Sequence, residues 1–346
     1  MRYKFLFGVV ILLIATACAT RNGYWIKRAS LGEARSWFGA ASVAGKIYAI
    51  GGMTGEEGDR RATNEVFDPR TNKWTLLAPM PRARASLAVV AVGNMLYAIG
   101  GYFQHSTSNH LEAFDTTTGK WDASLPPMPT PRFDLSANVI GNTIYVLGGF
   151  DNEAMNVVEQ YDTITRQWRA LPPMQTARYA LASIVLDGKL YAFGGRNRTG
   201  ALDTIEVFDP QTQTWSWLNT KIPEPVAGFG IVRADDSVHV LKYDLHFAYH
   251  IPTNTWRTDL PAMPTSRHGL KADYIDGVIY AVGGCATGDG NLFDVERNEA
   301  YIIHAPAYLD VKSKNVDAEI LVALGVLIAV ALVGIARKRS QMTKEE

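Results

Sequence analysis

Five arginines recur at one phase of this chain. Arg35, Arg84, Arg132, Arg178 and Arg267 each stand sixteen residues before a glycine pair, at Gly51-Gly52, Gly100-Gly101, Gly148-Gly149, Gly194-Gly195 and Gly283-Gly284. Guanidinium groups gathered around one opening would focus positive potential and suit a carboxylate, sulfate or phosphate, because the planar fork donates paired hydrogen bonds to such anions. The same groups have a structural use. An arginine can brace backbone by bonding exposed carbonyls or a neighbouring carboxylate, and the spacing leaves both readings open. Other reaction chemistry is scarce: the seven histidines do not cluster at metal-ligand spacing, and there is no Ser/His/Asp or phosphate-loop pattern. Neither a metal nor a cofactor is expected. With 34 basic and 34 acidic residues the net charge is zero, so no overall field attracts nucleic acid.

The elements that must carry these arginines follow from the period. The first four glycine pairs are 49, 48 and 46 residues apart, and the next gap of 89 leaves room for one more unit, with Val226 at the arginine phase and Lys242-Tyr243 where its glycines would fall. A tyrosine precedes each pair by three residues: Tyr48, Tyr97, Tyr145, Tyr191 and Tyr280. Trp25, Trp74, Trp121, Trp168, Trp215 and Trp256 keep the same beat, and Asp68, Asp115, Asp162 and Asp209 each lie six residues before their tryptophan. His250 takes that place in the fifth unit. Each unit reads as four short strands joined by Gly, Asn and Asp turns; in the second, residues 86–92 and 95–99 form the first pair and residues 111–114 the third strand. Such a sheet cannot cover both its faces, so the units must stack radially as propeller blades.

The hydrophobic-Tyr-x-x-Gly-Gly ending of strand two, the aromatic-Asp ending of strand three and the strand-four tryptophan resemble the kelch repeat, over about 280 residues. That resemblance implies an all-β, six-bladed propeller over residues 20–304. Trp25 has no strands of its own before it, and the last unit has no tryptophan strand. The N-terminal segment is therefore expected to supply the outer strand of blade six, whose third strand is placed near residues 300–304. In kelch-like ubiquitin-ligase adaptors, arginines at this repeat position help bind acidic peptides at the channel mouth. The resemblance thus places Arg35, Arg84, Arg132, Arg178 and Arg267 around the top of the channel as candidate ligand-binding residues. The loops after the glycines reach the same face and add Tyr102, His105, Glu153 and Arg196, since binding residues concentrate on loops held by a rigid scaffold. The expected function is a binding module for an acidic ligand or protein partner. The alternative is an exported mutarotase or epimerase of an acidic sugar such as sialic acid, with a channel arginine and Glu153 moving the proton.

Both termini carry targeting patterns. Residues 1–19 combine Arg2 and Lys4 with an uncharged apolar run and small residues around Cys18, as in a signal peptide. The segment at residues 14–18 resembles a lipobox, which would make Cys18 a lipidated N-terminus; cleavage after Ala17 or Ala19 is the other reading. Residues 318–336 are apolar and are followed at once by Arg337-Lys338-Arg339, the pattern of a membrane helix with a cytoplasmic basic tail at residues 337–346. A linker at residues 305–317 would join it to a propeller held outside the cytoplasm, in the periplasm or at the cell surface.

Overall fold

The strands of the repeat are short and apolar on both faces, so a lone four-stranded sheet leaves apolar surface uncovered. The computed structural model, which describes residues 23–309 apart from 56–57 and 289–290, meets this constraint with six four-stranded antiparallel sheets. The expected signal peptide, Cys18, the membrane helix and the basic tail lie outside the described residues. In blade one the strands are Gly39–Val43, Lys46–Ile50, Asn64–Asp68 and Lys73–Leu76, each paired with the one before it. Blades two to five repeat the meander from innermost strands at Ala88–Val92, Ser136–Ile140, Ala182–Leu186 and Gly230–Ala234. These neighbour one another in turn, and the ring returns to blade one through Lys271–Ile275 of blade six. Between blades two and three the space is filled by Ile99, Leu111, Met128, Leu135, Ile144 and Tyr161, all buried.

Closure runs through the N-terminus. The strand Tyr24–Lys27 pairs with Asn298–Ile302 and sets Trp25 opposite Tyr301. The same register sets Trp74 opposite Phe67, Trp121 opposite Phe114 and Trp215 opposite Phe208. The shared blade is as the sequence phase required, although its third strand ends at Ile302 rather than His304. In blade two the innermost strand begins at Ala88, two residues after the expected start, because Ser86 has a positive φ of 55° and turns its N–H toward the neighbouring blade.

Three sets of hydrogen bonds join the blades. At the axis, Trp37, Ser86, Asp134, Ala180, Gly228 and Gly269 form a closed ring in which each N–H donates to the carbonyl of its counterpart in the preceding blade, at 2.7–3.0 Å. Farther out, the N–H of the second glycine donates to the carbonyl of the next blade's arginine: Gly52 to Arg84 at 2.8 Å, Gly101 to Arg132 at 3.0 Å, Gly149 to Arg178 at 3.0 Å and Gly284 to Arg35 at 3.0 Å. That approach explains the glycine pair, because a Cβ on Gly51 would lie 2.6 Å from the Arg84 carbonyl oxygen. At the rim, the tryptophan indole donates to the linker entering its blade: Trp121 to Ala78, Trp168 to Pro126, Trp215 to Pro172 and Trp25 to Pro261, at 2.9–3.0 Å.

The five arginines do not ring the channel mouth. Each is fully buried inside its own blade and paired with a glutamate of the third strand: Arg35 with Glu65 at 2.7 Å, Arg84 with Glu112 at 2.9 Å, Arg132 with Glu159 at 2.6 Å, Arg178 with Glu206 at 2.5 Å and Arg267 with Glu299 at 2.6 Å. Other donors reach backbone carbonyls at the end of the second strand, as in Arg132 to Gly148 and Val146 and Arg267 to Gly283 and Ala281, while Nε of Arg35, Arg84 and Arg178 has no partner among the described residues. Burial lowers the pKa of these guanidiniums, partly offset by their glutamates. The anion that satisfies them is therefore internal, and the bracing reading holds. Blade five supplies a built-in control: it replaces both partners at once, with Val226 at the arginine position and Phe247 at the glutamate position, and both are buried in one apolar cluster.

Removing one partner leaves a buried charge, so Arg132→Met should cost about 3–5 kcal/mol of stability in urea unfolding. The double change Arg132→Val with Glu159→Phe, copying blade five, should recover most of that loss; a double variant as unstable as the single one would overturn the bracing account. Deleting residues 23–28 should leave the Asn298–Ile302 edge unpaired and give a lower melting temperature with rapid proteolysis of blade six, whereas an unchanged melting curve would contradict closure by the N-terminal strand.

Candidate functional site

One end of the propeller, its top, carries short hairpins after the glycine pairs. These are Met53–Thr54 with Asp59–Arg60, Tyr102–Phe103 with Ser106–Thr107, Phe150–Asp151 with Glu153–Ala154, Arg196–Asn197 with Gly200–Ala201, and in blade six Cys285–Gly288 with Asn291–Asp294. The sequence read them as variable loops; main-chain pairing organises them as hairpins. Blade five has none, since Ser237–Lys242 runs into Leu245–His250 through a tight turn at Tyr243, where φ is 54°. The opposite end is formed by turns at Asp68, Asp115, Asp162 and Asp209, whose carboxylates accept backbone N–H groups two residues on at 2.8–2.9 Å. The N–H groups of Thr165 and Ile164 hold the Asp162 carboxyl below the usual carboxylate range.

The axis is narrow at the top. The hydrogen-bonded ring narrows it, and the Trp37 indole lies across Gly228 and Gly269, where a Cβ would come within 2.7 and 3.0 Å of the ring. A small cavity, lined by Trp37, Ser86, Asp134, Ala180, Gly228 and Gly269, remains at the ring. Below it the channel wall is polar, with Ser42 donating to Asp273 at 3.0 Å. Surrounding protein pushes the carboxyls of Asp134 and Asp273 up to about 6. A ligand approaching from the top meets the Trp37 indole and the axial ring, not an arginine-lined mouth.

What the top does present is an arc of aromatic rings. The residue after each buried arginine forms a β-bridge with the residue after the glycine pair, as in Ala85 with Tyr102, Phe133 with Phe150 and Tyr179 with Arg196. The bridges line up Tyr102, Phe133, Phe150 and Tyr179 across blades two to four, with successive ring centroids 5.2, 5.4 and 4.9 Å apart, within the range of favourable edge-to-face contact. Cations cap both ends: the Arg60 guanidinium is 4.8 Å from the Tyr102 ring and that of Arg196 is 5.9 Å from Tyr179. Beside Arg196, Lys242 lies 4.9 Å from the Tyr243 ring. Burial, and then the charge of Arg196, lowers the Lys242 pKa.

Of the loop residues proposed from sequence, Tyr102 and His105 line one groove of about 610 Å³ together with Arg60, Phe133 and Phe150. Arg196 caps the far end of the arc, and Glu153 is exposed in the hairpin of blade three. Phe133 and Tyr179 were missed. Their signal is positional: the residue after the constant arginine is Ser36, Ala85, Phe133, Tyr179 or His268, varied in type at a fixed place on the top. Among the described residues no group of three or more His, Cys, Asp or Glu side chains could hold a metal.

Comparison with known proteins agrees with this architecture. Residues 38–242 match the family model described as the KLHDC2/KLHL20/DRC7 Kelch-repeats domain. The chain is 33% identical over 103 residues to Kelch-like protein 35 of Mus musculus, covering 30% of this chain and 18% of that protein. It is 34% identical over 102 residues to an F-box/kelch-repeat protein of Arabidopsis thaliana, covering 29% of this chain and 27% of the relative. Kelch-like protein 40 of Xenopus tropicalis is 34% identical over 112 residues, covering 29% and 18%. The chain thus spans less than a third of the length of the curated relatives it matches. With the family model covering more than half of the sequence and six blades built on one repeat, the chain belongs to the kelch-repeat β-propeller family.

Proposed function

We propose that this propeller is a protein-binding module, held outside the cytoplasm by its terminal segments, whose contact surface is the aromatic arc of the top face. The arc carries the reading. Four half-buried rings in edge contact form an apolar strip with little side-chain entropy left to lose, the character of an interface centre. Arg60, Arg196 and Lys242 surround it with positive charge that suits acidic side chains on a partner. The acidic partner first expected at the repeat arginines is thereby reassigned to Arg60 and Arg196 on the hairpins and Lys242 at the turn of blade five. The mutarotase alternative draws no support from Arg132, whose donors are committed to Glu159 and backbone carbonyls, nor from Glu153, which is exposed.

Two experiments test this. A photocrosslinking residue at Tyr102 or Phe150 should capture a partner that the same residue at Thr118, in a turn of the opposite end, does not. With the crosslinking residue at Tyr102, Phe133→Ala with Tyr179→Ala should reduce capture at least tenfold while leaving the melting temperature within a few degrees; capture only from Thr118 would reject the top face. For the location, a Gln104→Cys variant should react with an impermeant maleimide in spheroplasts while a Thr343→Cys variant should not. Labelling of neither, or of the tail alone, would reject export of the propeller.

A further inference from the structure

Blade five keeps the main-chain links to its neighbours but departs from the repeat in the side chains of the clamp and the rim. It has Val226 and Phe247 for the ion pair and Lys242-Tyr243 for the glycines, and its Trp256 indole N–H is buried with no hydrogen-bond partner among the described residues. Where it meets blade six, the blade that the N-terminal strand completes, it also carries two imidazoles. His239 takes the place of the repeat tyrosine, and His246 the place held by Asn64 in blade one and Asn298 in blade six. Both are buried, 6% and 3% exposed, with His239 Nδ1 2.8 Å from His246 Nε2.

Their protons can be assigned. His246 Nδ1 lies 3.2 Å from the Pro261 carbonyl oxygen, which only accepts, and the Trp25 indole donates to the same oxygen at 3.0 Å. The counterparts behave alike: the Asn64 amide shares the Ala78 carbonyl with Trp121, and the Asn298 amide shares the Ala29 carbonyl with Trp74. His246 therefore carries its hydrogen on Nδ1, and its Nε2 accepts from the Nδ1–H of His239. Both rings are neutral. The closure strand rests on this pair: the Trp25 ring centroid is 5.6 Å from His246 and 5.3 Å from Tyr301, and His246 meets Tyr301 edge-on at 4.6 Å.

We infer that His239 and His246 form an acid-operated latch at the seam of blades five and six, which releases the N-terminal closure strand when the pair is protonated. A proton on His246 Nε2 sets two N–H donors face to face across 2.8 Å and breaks the pair. A proton on His239 places a cation in the seam, where Arg257 opposes it and Asp235 favours it. Arg257 also opposes a charge on His246, and with Asp259 it faces Tyr301. Burial, ahead of these charges, lowers His239 to about 4 and His246 to about 3. Released imidazoles titrate near about 6.5. The closed seam thus binds fewer protons than the open one, so its stability is complete above that pH and declines as pH falls toward 4. Asp134 and Asp273, raised to about 6, work in the opposite sense as pH falls, and they lie at the axis. Release leaves the Asn298–Ile302 edge free to pair with another strand.

Hydrogen exchange on the full chain at pH 7 and pH 5, corrected for intrinsic rates, tests the latch. Between the two, amides of Tyr24–Lys27 should lose protection at least tenfold more than those of Lys120–Asp122, the outer strand of blade two. The variant His239→Tyr with His246→Asn, which restores residues the repeat uses elsewhere, should abolish the difference; His246→Asn alone serves if the double variant does not fold. Undiminished protection of the closure strand at pH 5, or equal loss in wild type and variant, would overturn the proposal.

Discussion

The carbonyl of the repeat arginine ties the ring together. It accepts the N–H of a glycine from the preceding blade while the guanidinium of the same residue is clamped to a glutamate and to carbonyls of its own blade. One residue thus fixes the position of a blade's entry segment relative to its third strand and joins that segment to the next sheet. Such a clamp requires the arginine to be buried and the glycines to lack side chains. The phase of sixteen residues between them is the length of chain needed to run out along strand one and return along strand two. The axial ring and the rim tryptophans repeat the connection at smaller and larger radius, so every sheet except that of blade five, whose Trp256 makes no rim bond among the described residues, is held at three distances from the axis.

This arrangement decides where recognition can occur. Charges used to hold sheets together are unavailable to a ligand, and the axis is narrowed at the top by Trp37 and the axial ring. What remains variable and exposed is the residue beside each clamp and the hairpin beyond each glycine pair. Because the clamp holds its neighbour rigidly, Phe133 and Tyr179 are aimed by the same bonds that stabilise the fold, and the arc with Tyr102 and Phe150 is set before any partner arrives. Pre-set aromatic surfaces bind at low conformational cost.

Blade five shows what the clamp contributes. With Val226 and Phe247 in place of the ion pair the sheet still forms, as expected where both members of a buried pair are exchanged for apolar groups together. The blade keeps its axial bond through Gly228 and its link from Gly195 to the Val226 carbonyl. Its rim differs, with an unpartnered Trp256 indole on one side and the histidine pair on the other. The side chains that depart from the repeat thus lie beside the one strand that comes from elsewhere in the chain.

Much of the architecture was legible in the residues themselves. Glycine pairs, tryptophans and turn aspartates mark local requirements of backbone geometry and strand pairing, and these recur at a fixed period wherever the unit recurs. From them came the number of blades, the deviant fifth unit and the role of Trp25 in closure. The arginines were a different matter. Their spacing placed them correctly along the strands, yet a guanidinium at that position can reach the channel or turn back into its own sheet. The partner glutamates lie 27–32 residues away, and no local rule couples them. Only the packed sheet, which brings the third strand beside the entry segment and excludes water from both, made the internal carboxylate the partner. The same holds for the aromatic arc, which joins blades two to four, and for the contact of the blade-five histidines with Trp25 and Tyr301 of blade six, which forms only when the ring closes.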